Sequence, residues 1–170
     1  ELMRLMLDSS AERAGSELAT QPQVRAAIER TIAQSYAAIS EQARSAEHFA
    51  AAREAATKAN LPVGERARLL MGQASALGGL SRFDEGLKLA QQALDEVQGL
   101  PESDRDRLFI ESRLAWLEQG AGQFDASITH YQHVLHLQQA AFGADDDDSL
   151  ESQRGLAAAY ARTDRFAEAE

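Results

Sequence analysis

Apolar residues recur at helical steps along almost the whole chain. Over 65–79 they fall at Ala67, Leu70, Ala74 and Leu77, and over 84–98 at Leu87, Ala90, Leu94 and Val97, each set at steps of three, four and three. Such steps place one apolar stripe on one face of an α-helix. The same pattern predicts helices over 2–19 (Leu2, Leu5, Met6, Ala11, Ala14, Leu18), 22–39 (Ile28, Ile32, Ala33, Tyr36, Ile39) and 43–59 (Ala46, Phe49, Ala52, Ala56). It continues over 105–120 (Ile110, Leu114, Leu117, with Ala121 beyond), 125–141 (Ile128, Tyr131, Val134, Leu135) and 149–162 (Leu150, Leu156, Ala157, Tyr160), and a ninth helix begins at Phe166. No stretch alternates with period two long enough to read as a strand. Pro22, Pro62 and Pro101 stand at predicted boundaries, where the missing amide proton does least harm. Gly78-Gly79 and Phe142-Gly143 read as helix ends, and Ser103 or Asp104 as the cap of the sixth helix.

Laid in register, the helices repeat. One column reads Ala33, Ala74, Ala115 and Ala157, spaced by 41, 41 and 42 residues. Before it stand Ile32, Gln73, Leu114 and Leu156; three after it stand Tyr36, Leu77, Glu118 and Tyr160. Nine after it comes a turn position, Gln42, Phe83, Phe124 and Phe166, followed at a further three by a small residue, Ser45, Gly86, Ser127 and Ala169. A fixed period between about 20 and 50 residues marks a repeat architecture, in which one helix pair cannot cover its own apolar faces and stacked neighbours do so. Small residues at the crossings let two backbones approach. A turn aromatic fills the wedge between pairs with more buried area than an aliphatic side chain offers.

These columns resemble the tetratricopeptide repeat. Leu156-Ala157, Tyr160, Phe166 and Ala169 follow that family's order of large apolar residue, Gly or Ala, Tyr, turn aromatic and small residue; Gln73-Ala74, Phe83, Gly86 and Ala93-Leu94 follow most of it. The common repeat is 34 residues long; the longer spacing here is similar to the kinesin-light-chain-like variety, and Phe142-Gly143-Ala144-Asp145 is similar to its inter-repeat loop. Glu118 and Gln42 depart from the pattern. The resemblance implies an all-α, right-handed superhelix of antiparallel helix pairs over residues 26–170. Residues 1–25 would form an extra helix and entry, 26–66 a degenerate repeat, 67–107 and 108–149 full repeats and 150–170 a truncated one.

A narrower resemblance lies upstream. Leu7-Asp8, Ala11-Glu12-Arg13, Glu17-Leu18, Gln21-Pro22-Gln23-Val24-Arg25 and then Tyr36 are similar to the segment entering the repeats of bacterial eukaryotic-like serine/threonine protein kinases. In those proteins a cytoplasmic kinase domain is often followed by a membrane span and a repeat-containing sensory region. This implies a sensory or partner-recruiting region outside the cytoplasmic membrane, acting in signal transduction. The alternative is the repeat scaffold of a cytoplasmic transcriptional regulator or adaptor, where similar entries occur. A Gly-rich phosphate loop, His-Arg-Asp and Asp-Phe-Gly are all missing, so kinase activity would belong to a longer parent protein. The opening on Glu1 and the stop at Glu170 imply such a parent.

Charge narrows the partners. With 27 acidic against 17 basic residues the chain carries −10, which argues against nucleic acid, whose phosphates need a basic stripe, and against an anionic membrane surface. The absence of cysteine excludes disulfides, thiolate metal sites and cysteine nucleophiles. No apolar run approaches the roughly 20 residues of a membrane span. No nucleophile elbow, convincing Ser–His–acid set or phosphate cradle occurs, so this stretch is expected to be non-catalytic and to need no cofactor.

His130, His133 and His136 lie three apart, about 60° around a helix, which raises a metal site. The stripe of Ile128, Tyr131, Val134 and Leu135 turns them instead toward a solvated outer face, so no metal is expected. Asp145–Asp148 lacks the alternation and closing Glu of a calcium loop and suits a helix start. In the resembled family the first helix of each pair lines the concave face. The matching positions are Arg30 and Gln34; Arg68, Met71 and Ser75; Phe109, Ser112, Trp116 and Gln119; and Arg154 and Ala158. This implies a protein or peptide ligand in that groove near the single tryptophan. The uncovered last apolar face of the stack would allow self-association.

Overall fold

The computed structural model describes the backbone of residues 2–18 and 20–163, and their side chains except at positions 2, 3 and 14–17. Among these residues there are eight helices and no strand: α1 (Leu2–Glu17), α2 (Pro22–Ala38), α3 (Gln42–Lys58), α4 (Val63–Gly79), α5 (Phe83–Glu96), α6 (Arg105–Gly120), α7 (Phe124–Phe142) and α8 (Asp147–Arg162). Each expected helix up to 162 is present, its ends within two residues. The ninth, with Phe166 and Ala169, lies outside the described residues. Asp104 caps α6, accepting from the Asp106 and Arg107 amides. Asp146 caps α8 in the same way through the Asp148 amide at 3.1 Å, as an acidic run before a helix should. No described helix is long and apolar enough to cross a membrane.

The first helix of each pair stops by one device. Glu41, Arg82 and Gln123 donate their amides to the carbonyls of Tyr36, Leu77 and Glu118 at 2.9, 2.9 and 2.8 Å. One residue earlier, Ser40, Ser81 and Gly122 donate to Ala37, Gly78 and Gln119. This paired closure is the Schellman motif, which needs a left-handed residue at its corner. Ser40, Ser81 and Gly122 occupy one column and have φ of 63, 59 and 79°. A side chain there is strained by about 1 kcal/mol relative to glycine. Ser81→Gly is therefore expected to raise stability by about 0.5–1 kcal/mol and Gly122→Ala to lower it by about 1 kcal/mol. Urea unfolding reads both; equal midpoints would contradict the motif.

Helices pair as α2 with α3, α4 with α5 and α6 with α7, and α8 stacks on α7. The first helices also touch one another, α4 against α6 and α6 against α8, whereas α3, α5 and α7 form the wider outer layer. The result is a right-handed α-solenoid whose inner face is made by first helices. Its largest core cluster joins Ala67, Leu70, Met71, Ala74, Ala90, Ala93, Val97, Ile110, Leu114 and Leu117 across α4, α5 and α6. The alanine column is buried where it was expected to be, at Ala33, Ala74 and Ala115, and the small column is buried at Ser45, Gly86 and Ser127.

Adjacent pairs are fitted by size. The ring of Phe83, at the turn, rests where a Cβ on Gly120 would be. A second column of the outer layer reads Phe49, Ala90 and Tyr131, and its counterpart on the next pair reads Gly72, Arg113 and Gly155. Phe49 lies on Gly72, with ring carbons 2.5–2.7 Å from where a Cβ would sit, and Tyr131 lies on Gly155 in the same way. At the middle junction Ala90 is buried instead in the cluster with Ile110, Leu114 and Leu117.

Three expectations about buried faces need correction. In α1, Leu5 and Met6 are exposed, and Leu7, Ala11 and Leu18 pack on Ile32, Tyr36 and Ile39. The rotation of α1 is fixed by Asp8, which accepts from the Tyr36 hydroxyl and the Arg44 guanidinium. Ile28 and Leu150 are also exposed. Ile28 shares a column with Leu69 and Ile110, which a preceding helix pair covers; among the described residues a single helix, α1, precedes α2.

Candidate partner-binding groove

The inner face of α6 and α8 opens into a cleft of ≈ 400 Å³. Its walls are Trp116, Gln119 and Ser112 from α6, and Arg154, Gly155 and Ala158 from α8; Tyr131 reaches in from α7. Trp116 is 38% exposed. One edge of its ring lies over Gly78 of α4, 2.9 Å from where a Cβ would be, which fixes the indole and leaves a face open. Arg113 and Glu151 form an ion pair of 2.9 Å across the cleft. Arg154 is exposed and makes no ion pair among the described residues.

The other expected groove residues divide. Arg30 and Gln34 are exposed on α2, and Arg30 lines a smaller cleft with Gln23, Ala27 and Glu65. Ser75 is half-buried on α4. Phe109 is half-buried as well, and its ring is taken up by two internal cations: the Arg68 guanidinium at 4.3 Å and that of Arg113 at 5.3 Å. Arg68 in turn pairs with Asp106. The Ser112 hydroxyl donates to the Phe109 carbonyl at 2.9 Å. Met71 is corrected outright. It is fully buried among Leu70, Ala74 and Ile110, because an unbranched thioether folds inward where the arginines of its column extend into solvent.

The histidines follow the expected outer face in part. His136 is exposed, but His130 Nδ1 lies 2.8 Å from Glu118 and His133 Nδ1 lies 3.1 Å from Glu111. Both glutamates are buried. Glu111 also accepts from Arg107 at 3.1 Å, and the first pair repeats the arrangement with Arg25, buried Glu29 and His48. The pairing with Glu118 raises the His130 pKa above its ordinary value, against the opposing effect of burial. These contacts join the two helices of one pair; His133 and His136 keep the exposed positions expected of an outer face, and His130 alone is half-buried against its glutamate.

Sequence reasoning missed Arg113, Tyr131, Glu151 and Ser152 in the cleft. Tyr131 had been assigned wholly to the core. Ser152 had a visible signal: it stands in the column of Leu69 and Ile110, and a polar residue in a buried apolar column marks a changed environment.

A stack of two-helix units with repeated columns, a common turn and an inner cleft defines a helical-repeat solenoid of the tetratricopeptide kind. Residues 106–170 match the family model described as tetratricopeptide repeat. Among solved structures, the chain is similar to BtubC (BKLC) from P. vanneervenii, with a TM-score of 0.75 at 18% identity, covering 98% of this chain and 67% of that one. It is similar to a kinesin-light-chain-type protein of nearly identical TPR-like repeats from Podosopora anserina, with a TM-score of 0.72 at 21% identity, over 98% of this chain and 79% of the other. A TPR-like protein from Chlorobium tepidum gives 0.64 at 21% identity, over 88% and 96%. At these identities the likeness is one of fold. No curated protein sequence matches the chain.

Proposed function

We propose that this chain is a non-catalytic protein- or peptide-binding module whose partner lies along the inner face of α4, α6 and α8. The observation that carries the reading is Trp116, a large aromatic held rigid at its edge and left open beside Arg154, which makes no ion pair among the described residues. Anchored aromatics and arginines in a concavity are what dominates recognition energy at interfaces. Gln119 borders the same cleft, and Ser75, Gln34 and Arg30 continue the face toward α2. Peptides selected from a displayed random library on the immobilised protein supply a ligand. Trp116→Ala with Arg154→Ala is expected to weaken that ligand at least about tenfold by calorimetry and to leave helicity unchanged. Unaltered affinity would sink the groove assignment.

The finer part of the proposal is that the module is the sensory or partner-recruiting region of a bacterial transmembrane serine/threonine protein kinase. Its support is the entry segment: Asp8 and Tyr36, two residues of that resemblance, hydrogen-bond to each other and to Arg44. The reading expects a membrane span preceded by a kinase domain upstream of Glu1 in the parent protein. A winged-helix domain in that place would favour the regulator scaffold.

A further inference from the structure

The third junction between helix pairs differs from the other two in one respect. The outer-layer column reads Phe49, Ala90, Tyr131, and the column it approaches on the next pair reads Leu69, Ile110, Ser152. In these two columns two junctions carry apolar residues alone, and the third introduces two hydroxyls together. Ser152 is 1% exposed and its Oγ has no hydrogen-bond partner. Tyr131 is 4% exposed, and its hydroxyl makes no hydrogen bond among the described residues. A buried hydroxyl without a partner, such as that of Ser152, is costly; the Tyr131 hydroxyl is not among the fully buried atoms, and the other junctions pack without either group. Both line the cleft beside Trp116.

The cleft chemistry selects the class of group that would satisfy them. The Arg113–Glu151 pair is neutral as a unit. A carboxylate is drawn by Arg154 but repelled by Glu151 between the helices, and an ammonium is repelled by Arg113 and Arg154. A neutral group carrying both a donor and an acceptor meets neither obstacle and pairs with two hydroxyls, each of which can donate or accept. Its methylenes would lie against the exposed indole face. We propose that this cleft is a side-chain subsite for the carboxamide of a partner glutamine or asparagine, held by Tyr131 and Ser152 beside Trp116. The subsite rests on the groove reading in that it specifies one residue of the partner.

The chain has a single tryptophan, so the indole N–H resonance of Trp116 reports on this cleft alone. The probe is N-acetyl-glutamine methylamide, with the glutamate and norleucine analogues as comparisons. A saturable shift of the indole resonance is expected with the glutamine probe, and binding about tenfold weaker in the Tyr131→Phe/Ser152→Ala variant, as for the loss of hydrogen bonds to a neutral group. That variant restores the apolar character of Phe49 and Leu69, so its circular dichroism and thermal midpoint should stay close to the original. The proposal is overturned if the glutamine probe gives no saturable shift, if the glutamate probe binds as tightly, or if the double variant binds unchanged. Should any of these occur while selected peptides still need Trp116 and Arg154, the carboxamide subsite falls and the groove stands.

Discussion

Leucine at position 155 is expected to destabilise the fold by about 2 kcal/mol, the sum of an overpacking cost near 3 kcal/mol and about 1 kcal/mol regained in helix propensity. The Tyr131 ring occupies the space a side chain would need, and Tyr131 is itself buried. Tyr131→Ala alone is expected to cost about 3–4 kcal/mol through the cavity it leaves. The two changes together should cost less than their sum by at least about 1 kcal/mol, because each relieves the fault of the other. A strictly additive double variant in urea unfolding would contradict the claim that neighbouring pairs are fitted by size.

His130→Leu is expected to cost about 2 kcal/mol near neutral pH. Breaking a fully buried charged pair costs about 3–5 kcal/mol, and the 35% exposure of the His130 side chain reduces that by solvent screening. The loss comes mainly from stranding Glu118 in the interior. Glu118→Leu added to His130→Leu should return stability to the original level or above, since the second pair carries Leu77 and Leu89 in the same two columns. The pH dependence has a definite sign. His130 holds its proton more tightly folded than unfolded, because of Glu118 first and more distantly Glu111. Its contribution is complete below the ordinary value of 6.5 and declines as pH rises through the raised folded value. The difference in stability between the original protein and the double leucine variant should therefore shift against the original protein on going from pH 6 to pH 8.

Much of the scaffold was legible because single columns carry unmistakable residue types. Four alanines at one period announce a close crossing, and Phe83 announces the wedge it fills over Gly120. The sense of a departure was harder to read. Glu118 in a tyrosine column looked like decay of the pattern; its partner His130 lies 12 residues away across a turn, and only the rotation of α7 against α6 brings them together. Met71 failed for a related reason, since column membership fixes where a Cα lies and leaves a flexible side chain free to choose inward or outward. Of the groove, Trp116, Gln119 and Arg154 were placed by the repeat register. Tyr131, Arg113, Glu151 and Ser152 enter the cleft from faces that the register assigns to packing, so their presence there depends on how far adjacent pairs splay.

The inner face of α6 and α8 is the surface proposed to hold the partner. The most direct test is a map of amide shifts on adding a peptide selected by the immobilised protein. Shifts confined to Ser112–Gln119 and Glu151–Ala158, with the Trp116 indole among the largest, are the predicted result. Shifts confined to the outer helices α5 and α7, with the indole unmoved, would contradict it.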